Sequence, residues 1–299
     1  MSSLSQDIPP SREPLHILSC AIGYSPDRIQ EFLKSFIRHT EHAEMTLFIH
    51  KKHADDYESI NHPRITFRAV DHRIPKKQHI EEIIPDFFLT LLGLRNKTDA
   101  RFYPVMCGRH FYYAEYLKKE VFQEGKCPTV MLTDSRDVVF QRDPEPLAEG
   151  VDVEFALEDS LIRDEKKNRK WIAGLFGDEV ASELEQYPVS CAGTTLARGP
   201  VMLDYLAKMT GTLLRNRPLV CRRTCYDQGS HNQIVRKGNL PNPTYNDPFS
   251  ERIATLAVTE DLKVNFEGDK ILINGKAPAV IHQWDRHPEL AEFVTRTYA

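Results

Sequence analysis

Short apolar runs alternate with amphipathic stretches along the first half of the chain. His16–Ala21 (HILSCA) is an apolar run that ends at Gly23 and Tyr24, and a helical pattern follows from Pro26 to about His39. This spacing predicts a strand, a loop and a helix. Met45–His50 and Ile65–Val70 repeat the strand pattern between polar segments, the rhythm of strands and helices around a parallel sheet. From Arg109 to Glu120, the residues Phe111, Ala114, Leu117 and Val121 form one apolar stripe at helical spacing, with Arg109, Tyr113 and Tyr116 on the neighbouring face.

Thr129–Thr133 (TVMLT) then reads as a strand covered on both faces. It stops abruptly at Asp134-Ser135-Arg136-Asp137, resumes as Val138-Val139-Phe140, and turns at Asp143-Pro144. Further strands are predicted near Val153–Leu157, Pro188–Leu196 and Ala254–Val258, and helices near Pro200–Leu214 and Tyr226–Arg236. The pattern is that of an α/β fold with a mixed, mostly parallel central sheet flanked by helices. Residues 1–14, polar and rich in proline, read as a flexible tail before a single domain over 15–299.

Composition narrows the class. With 299 residues, of which 41% are apolar and 27% charged, the chain can bury a full core. A formal net charge of -4 gives no general attraction to nucleic acid or to anionic membranes. The N-terminus lacks the basic start and apolar run of a signal peptide, and the apolar stretch Phe87–Leu94 is too short to span a bilayer. The expectation is a cytoplasmic protein with at most peripheral membrane contact. Cysteines at 20, 107, 127, 191, 221 and 225 show no CxxC spacing, which fits reduced thiols rather than a zinc ribbon or a disulfide framework. The sequon Asn96-Lys97-Thr98 carries no weight without a secretory signal.

The chemistry concentrates where strands end. Ligands of open α/β sheets bind outside the carboxyl ends of the strands, and Asp134 and Asp137 stand at such an end. Two carboxylates there suit a hard divalent cation that bridges nucleotide phosphates. A capped turn with an Asp134–Arg136 ion pair is the other reading of the same four residues.

VMLTDSRDVVFQRDP resembles the metal-binding strand of the GT-A (Rossmann-like) glycosyltransferases, with Ser135 where their acidic motif has its first acid, and Asp134 one residue earlier. CGRHFYYAEYL is similar to the helix that precedes that strand in the family, which makes Arg109 the arginine near the donor sugar. VSCAGTTLARGP is similar to the strand carrying the family's Asn-Ser-Gly or Asn-Ala-Gly turn, with Ala192 and Gly193 in place and Cys191 replacing asparagine. CYDQGSHNQIV resembles the Asp-Gln-x-x-x-Asn helix start of the retaining members, and AVIHQWDRHPEL places His282 on their C-terminal metal-binding histidine. His287 is a weaker claimant to that role.

The resemblance spans about Arg109 to His282 and implies a glycosyltransferase of the retaining, metal-dependent type. It divides the domain into a nucleotide-sugar half (15–148) and an acceptor half (149–299). It implies that Asp137, His282 and Asp134 hold Mn2+ or Mg2+, imidazole favouring Mn. Donor binding then falls to Ala21, Gly23, Tyr24, Arg109, Asp134, Ser135, Ala192, Gly193 and Asn232. Asp227 and Gln228 become the catalytic candidates, facing the positive charge that develops at the anomeric carbon. The partners implied are a UDP- or GDP-sugar donor and a glycan, lipid-linked or other glycoconjugate acceptor, with polysaccharide biosynthesis one setting. The stretch from Glu158 to Trp171 and the Arg222-Arg223 pair are candidate acceptor loops, although the first also reads as a solvated charged stretch. Two other classes use the same residues: a metal-dependent nucleotidyl or phosphoryl transferase, and a non-catalytic sugar-nucleotide or glycan-binding protein.

Overall fold

The structure, a computed structural model of the chain, describes residues 13–73, 99–122, 127–221, 225–257, 259 and 262–298. Phe87–Leu94, Asn96–Thr98, Arg222-Arg223, Val258 and most of the N-terminal tail lie outside the described residues.

Seven strands form the main sheet: β1 (His16–Cys20), β2 (Glu44–His50), β3 (Ile65–Val70), β4 (Thr129–Thr133), β6 (Val153–Leu161), β7 (Pro188–Arg198) and β8 (Pro243–Asn246). Their order is β3-β2-β1-β4-β7-β6-β8. All pairings are parallel except those of β7, which runs antiparallel to both neighbours. A second sheet of three short strands takes the order β5-β12-β9, from β5 (Val138–Phe140), β12 (Val280–His282) and β9 (Ile253–Thr255). A hairpin, β10 (Val264–Glu267) with β11 (Lys270–Ile273), completes the strands described. Both larger sheets hold strands of both expected halves as adjacent blocks, joined at β4–β7 in the main sheet and at β5–β12 in the small one.

Strand alternation sends side chains to opposite faces, and each face has its own helices. On one face, Leu18 of β1, Leu132 of β4 and Phe155 of β6 meet α3 (Val105–Tyr116), α6 (Gly199–Arg215) and α8 (Tyr226–Lys237). On the other, Ile17, Met45 and Met131 meet Phe32, Leu33 and Phe36 of α1 (Gln30–His39), with Val138 and Phe140 of β5. The small sheet is covered in turn by Leu290, Phe293 and Val294 of α9 (Pro288–Tyr298). Thr40 closes α1 by donating its hydroxyl to the Phe36 carbonyl at 2.7 Å.

Three elements differ from expectation. The helix that precedes β4 begins at Val105, just after Pro104, and its last turn, Leu117–Val121, widens to π geometry. Strand β6 continues to Leu161 through register shifts against β7, which carries Glu158 into the sheet. The expected 254–258 strand is the shorter β9, because the backbone turns to positive φ at Ala257. Among the described residues no helix is long and apolar enough to cross a membrane.

Candidate metal centre at the sheet edge

The 134–137 turn is tied at three points. Asp134 N–H donates to the Gly193 carbonyl at 2.8 Å, Ser135 Oγ to the Cys20 carbonyl at 3.0 Å, and the Gln283 N–H to the Asp137 carbonyl at 2.7 Å. Strands β1, β4 and β7 and the end of β12 thus all fix this one turn. The outcome is that both carboxylates face His282: its Nε2 lies 3.6 Å from Asp134 Oδ2 and 3.7 Å from Asp137 Oδ1. One ligand atom from each of the three residues falls within 4.8 Å of the others.

His282 is 1% exposed, yet its Nε2 has no hydrogen-bond partner. A buried ring nitrogen left open between two carboxylates is an anomaly for a structural histidine and a fit for a cation ligand. Gly193 makes room for this arrangement. A Cβ built there stands 2.3 Å from His282 Cε1 and 2.7 Å from Asp134 Oδ2, so any side chain displaces the site.

Arg109 is 4% exposed and lies against Asp134. It donates to Asp134 Oδ1, to Asp227 Oδ2 at 3.3 Å and to the Ala192 carbonyl at 3.4 Å. The Asp134–Arg136 pair of the alternative reading does not form; Arg136 donates instead to Asp285 at 2.5 Å and stands 3.7 Å from Asp137.

Electrostatics follow these contacts. Burial acts to raise the Asp134 carboxyl, but the Arg109 guanidinium and His282 beside it hold it well below the usual carboxylate range. Asp137 is pushed up by burial, His282 opposing and Asp134 adding to the shift. Burial acts to lower the His282 imidazole, yet Cys191 and the carboxylates of Asp137 and Asp134 carry it well above 6.5. A group of two carboxylates and an imidazole this close is stabilised by a positive charge at its centre.

The remaining expected site residues sort by where their polar atoms go. Asp227, at the start of α8 and 2% exposed, is held by Arg109, while its Oδ1 has no partner. Gln228 and Asn232 spend their amides on backbone groups of β7 and of their own helix. Gln228 accepts from Ala192 N–H at 2.9 Å and donates to the Ser190 carbonyl at 2.6 Å. Asn232 accepts from Ser190 N–H at 2.9 Å and donates to the Ser190 and Gln228 carbonyls at 3.1 and 3.0 Å. Pairing between β6 and β7 is irregular beside these residues, and the two amides serve the β7 backbone there as a neighbouring strand does. Ser135 is likewise 2% exposed, with its hydroxyl donated to the Cys20 carbonyl.

At the end of β1, Ala21 is buried and donates to Phe48, and Gly23 turns at φ 97, open to L-residues only under strain. Tyr24 is half-buried and its carbonyl accepts from Tyr57. The Ser135–Cys20 bond sets this loop beside the 134–137 turn.

Sequence reasoning missed the layer behind His282. Cys191 Sγ lies 3.7 Å from His282 Nδ1, Gln283 donates to the same sulfur at 3.6 Å, and Glu158 lies beside both. Burial raises the Glu158 carboxyl. It also missed His110, buried with its Nε2 3.8 Å from Asp227. The usable signal for His110 was adjacency to Arg109; Glu158 sat in a charged stretch with no apolar pattern to mark it. His287 takes no part in the cluster.

No protein-family model matches the chain, and neither does any curated protein sequence.

Proposed function

We propose that the chain is a divalent-metal-dependent glycosyltransferase of GT-A type, moving a sugar from a nucleotide-diphosphate donor to a glycan or glycoconjugate acceptor with retention of anomeric configuration. The observation that carries this reading is the Asp134–Asp137–His282 cluster at the carboxyl end of β4, with its open, buried Nε2. A nucleotide placed at that sheet edge presents its diphosphate to this cluster.

Asp134, Asp137 and His282 are the residues that would hold the cation, Mn2+ suiting the mixed oxygen and nitrogen donors. A cation held there would supply positive charge for the departing diphosphate. The bond from the anomeric carbon to the diphosphate oxygen breaks as the bond to the acceptor oxygen forms. Arg109 orients Asp134 and Asp227 on that side of the site. Asp227, with no hydrogen-bond partner on Oδ1, is the carboxylate offered to the sugar, and the acceptor hydroxyl gives its proton to the departing diphosphate oxygen as the new bond closes. Ala192 and Gly193 line the floor with backbone, and Gly193 lets the groups crowd together.

The test is release of nucleoside diphosphate from a panel of UDP- and GDP-sugars, with and without Mn2+. Metal-dependent release from one donor, lost in Asp137→Ala and His282→Ala, supports the reading. Release of monophosphate or pyrophosphate instead assigns the cluster to nucleotidyl or phosphoryl transfer. Absence of both Mn2+ and donor binding in the folded protein overturns it.

A further inference from the structure

We infer that Cys191 and Gln283 form a buried positioning layer that fixes which nitrogen of His282 faces the two carboxylates. The inference rests on the metal reading of Asp134, Asp137 and His282. Its support begins with Gln283, whose amide has one allowed orientation. Gln283 Oε1 accepts from the Ala257 N–H at 2.7 Å, so the opposite end, Nε2, is the one that meets Cys191 Sγ at 3.6 Å. The sulfur therefore acts as an acceptor. His282 Nδ1 meets the same sulfur at 3.7 Å from another side, and an Nδ1–H donated to it leaves Nε2 as the nitrogen whose proton a cation between the carboxylates replaces. That nitrogen is the one lying between Asp134 and Asp137 with no partner of its own.

Three features hold the layer rigid. Cys191 and Gln283 are 5% and 4% exposed. Gln283 sits at φ 66 and its N–H is bonded to the Asp137 carbonyl, so one residue touches the metal turn through its backbone and the sulfur through its side chain. Cys191 lies between Ser190 and Ala192, whose backbone groups are both clamped by Gln228. Glu158 lies beside the thiol. Residues that orient a ligating imidazole through its second nitrogen contribute about 10–100-fold to metal affinity.

The experiment titrates Mn2+ alone into the full chain, by calorimetry and by the nitrogen coupling of a bound imidazole in pulsed electron paramagnetic resonance. Wild type and His282→Ala establish the site: binding with an imidazole signal that His282→Ala abolishes is the expected result, and its absence overturns the metal reading and this inference together. With that site established, Cys191→Ala is expected to weaken Mn2+ about tenfold or more and to alter the nitrogen coupling at unchanged thermal stability. Cys191→Ser, which keeps a donor and an acceptor, is expected to recover most of the affinity, and it keeps the test informative if the alanine variant does not fold. Wild-type affinity and coupling in Cys191→Ala, or in Cys191→Ser no recovery relative to it, would falsify the positioning role while leaving the metal site standing.

Discussion

Two buried polar clusters lie along strand β7, and they differ in how completely their groups are satisfied. Behind the strand, Ser190, His231, Tyr205 and Asn232 close on one another: His231 bonds Ser190 Oγ and Tyr205 OH at 2.8 Å each, and Asn232 spends its amide on backbone. At the sheet edge, His282 Nε2, Arg109 Nε and Asp227 Oδ1 all lack partners. Both clusters cost desolvation, but only the first recovers it within the described residues. A saturated cluster specifies a fold, and an unsaturated one is a place where something else completes the set.

The contrast can be broken most severely at Arg109. Arg109→Met leaves Asp134 and Asp227 beside each other without their shared cation, and unfolding by urea is expected to show a loss of about 3–5 kcal/mol. A loss below about 1 kcal/mol would mean that solvent already serves these carboxylates.

On the saturated side the effect is smaller. Asn232→Ala strands the N–H of Ser190, and urea unfolding is expected to report about 1–3 kcal/mol, with Mn2+ binding retained. If Mn2+ binding is lost instead, the two clusters are one unit and the comparison fails.

A third effect is graded with pH. Burial lowers His231 to about 3 and His16 and His72 to about 4, against 6.5 in the unfolded chain. Below 6.5 the unfolded chain takes up protons that the folded one refuses, so stability falls as pH drops from 6.5 towards 4, by at most about 1.4 kcal/mol per pH unit for each histidine. Melting temperatures at pH 7 and pH 5 check this, and a His231→Gln variant should show a shallower fall.

Much of the frame was legible in sequence because it rests on local pattern. The apolar runs over β1, β2, β3 and β4 announce themselves, and Asp134 and Asp137 are visible as acids at the point where such a run stops. The arrival of His282 beside them was expected only through resemblance, and the geometry brings the three together. What stayed hidden depends on long-range register. Glu158 reaches the site because β6 slips against β7, and Gln228 and Asn232 face backbone because that slip leaves Ser190 and Ala192 in need of partners. No periodicity in either segment encodes a slip between them.

Strand β12 also sets a schedule. It lies in the middle of the three-stranded sheet, between β5 and β9, although it is the last of the three to be synthesised. A chain growing on the ribosome has β5 and both acidic side chains in place long before the strand that bears the imidazole emerges. Until then the nascent protein carries the two carboxylates without their imidazole and an open seam between β5 and β9. The three side chains are thereby brought together only after residue 282 has emerged, and a chain interrupted before it lacks the imidazole of the cluster.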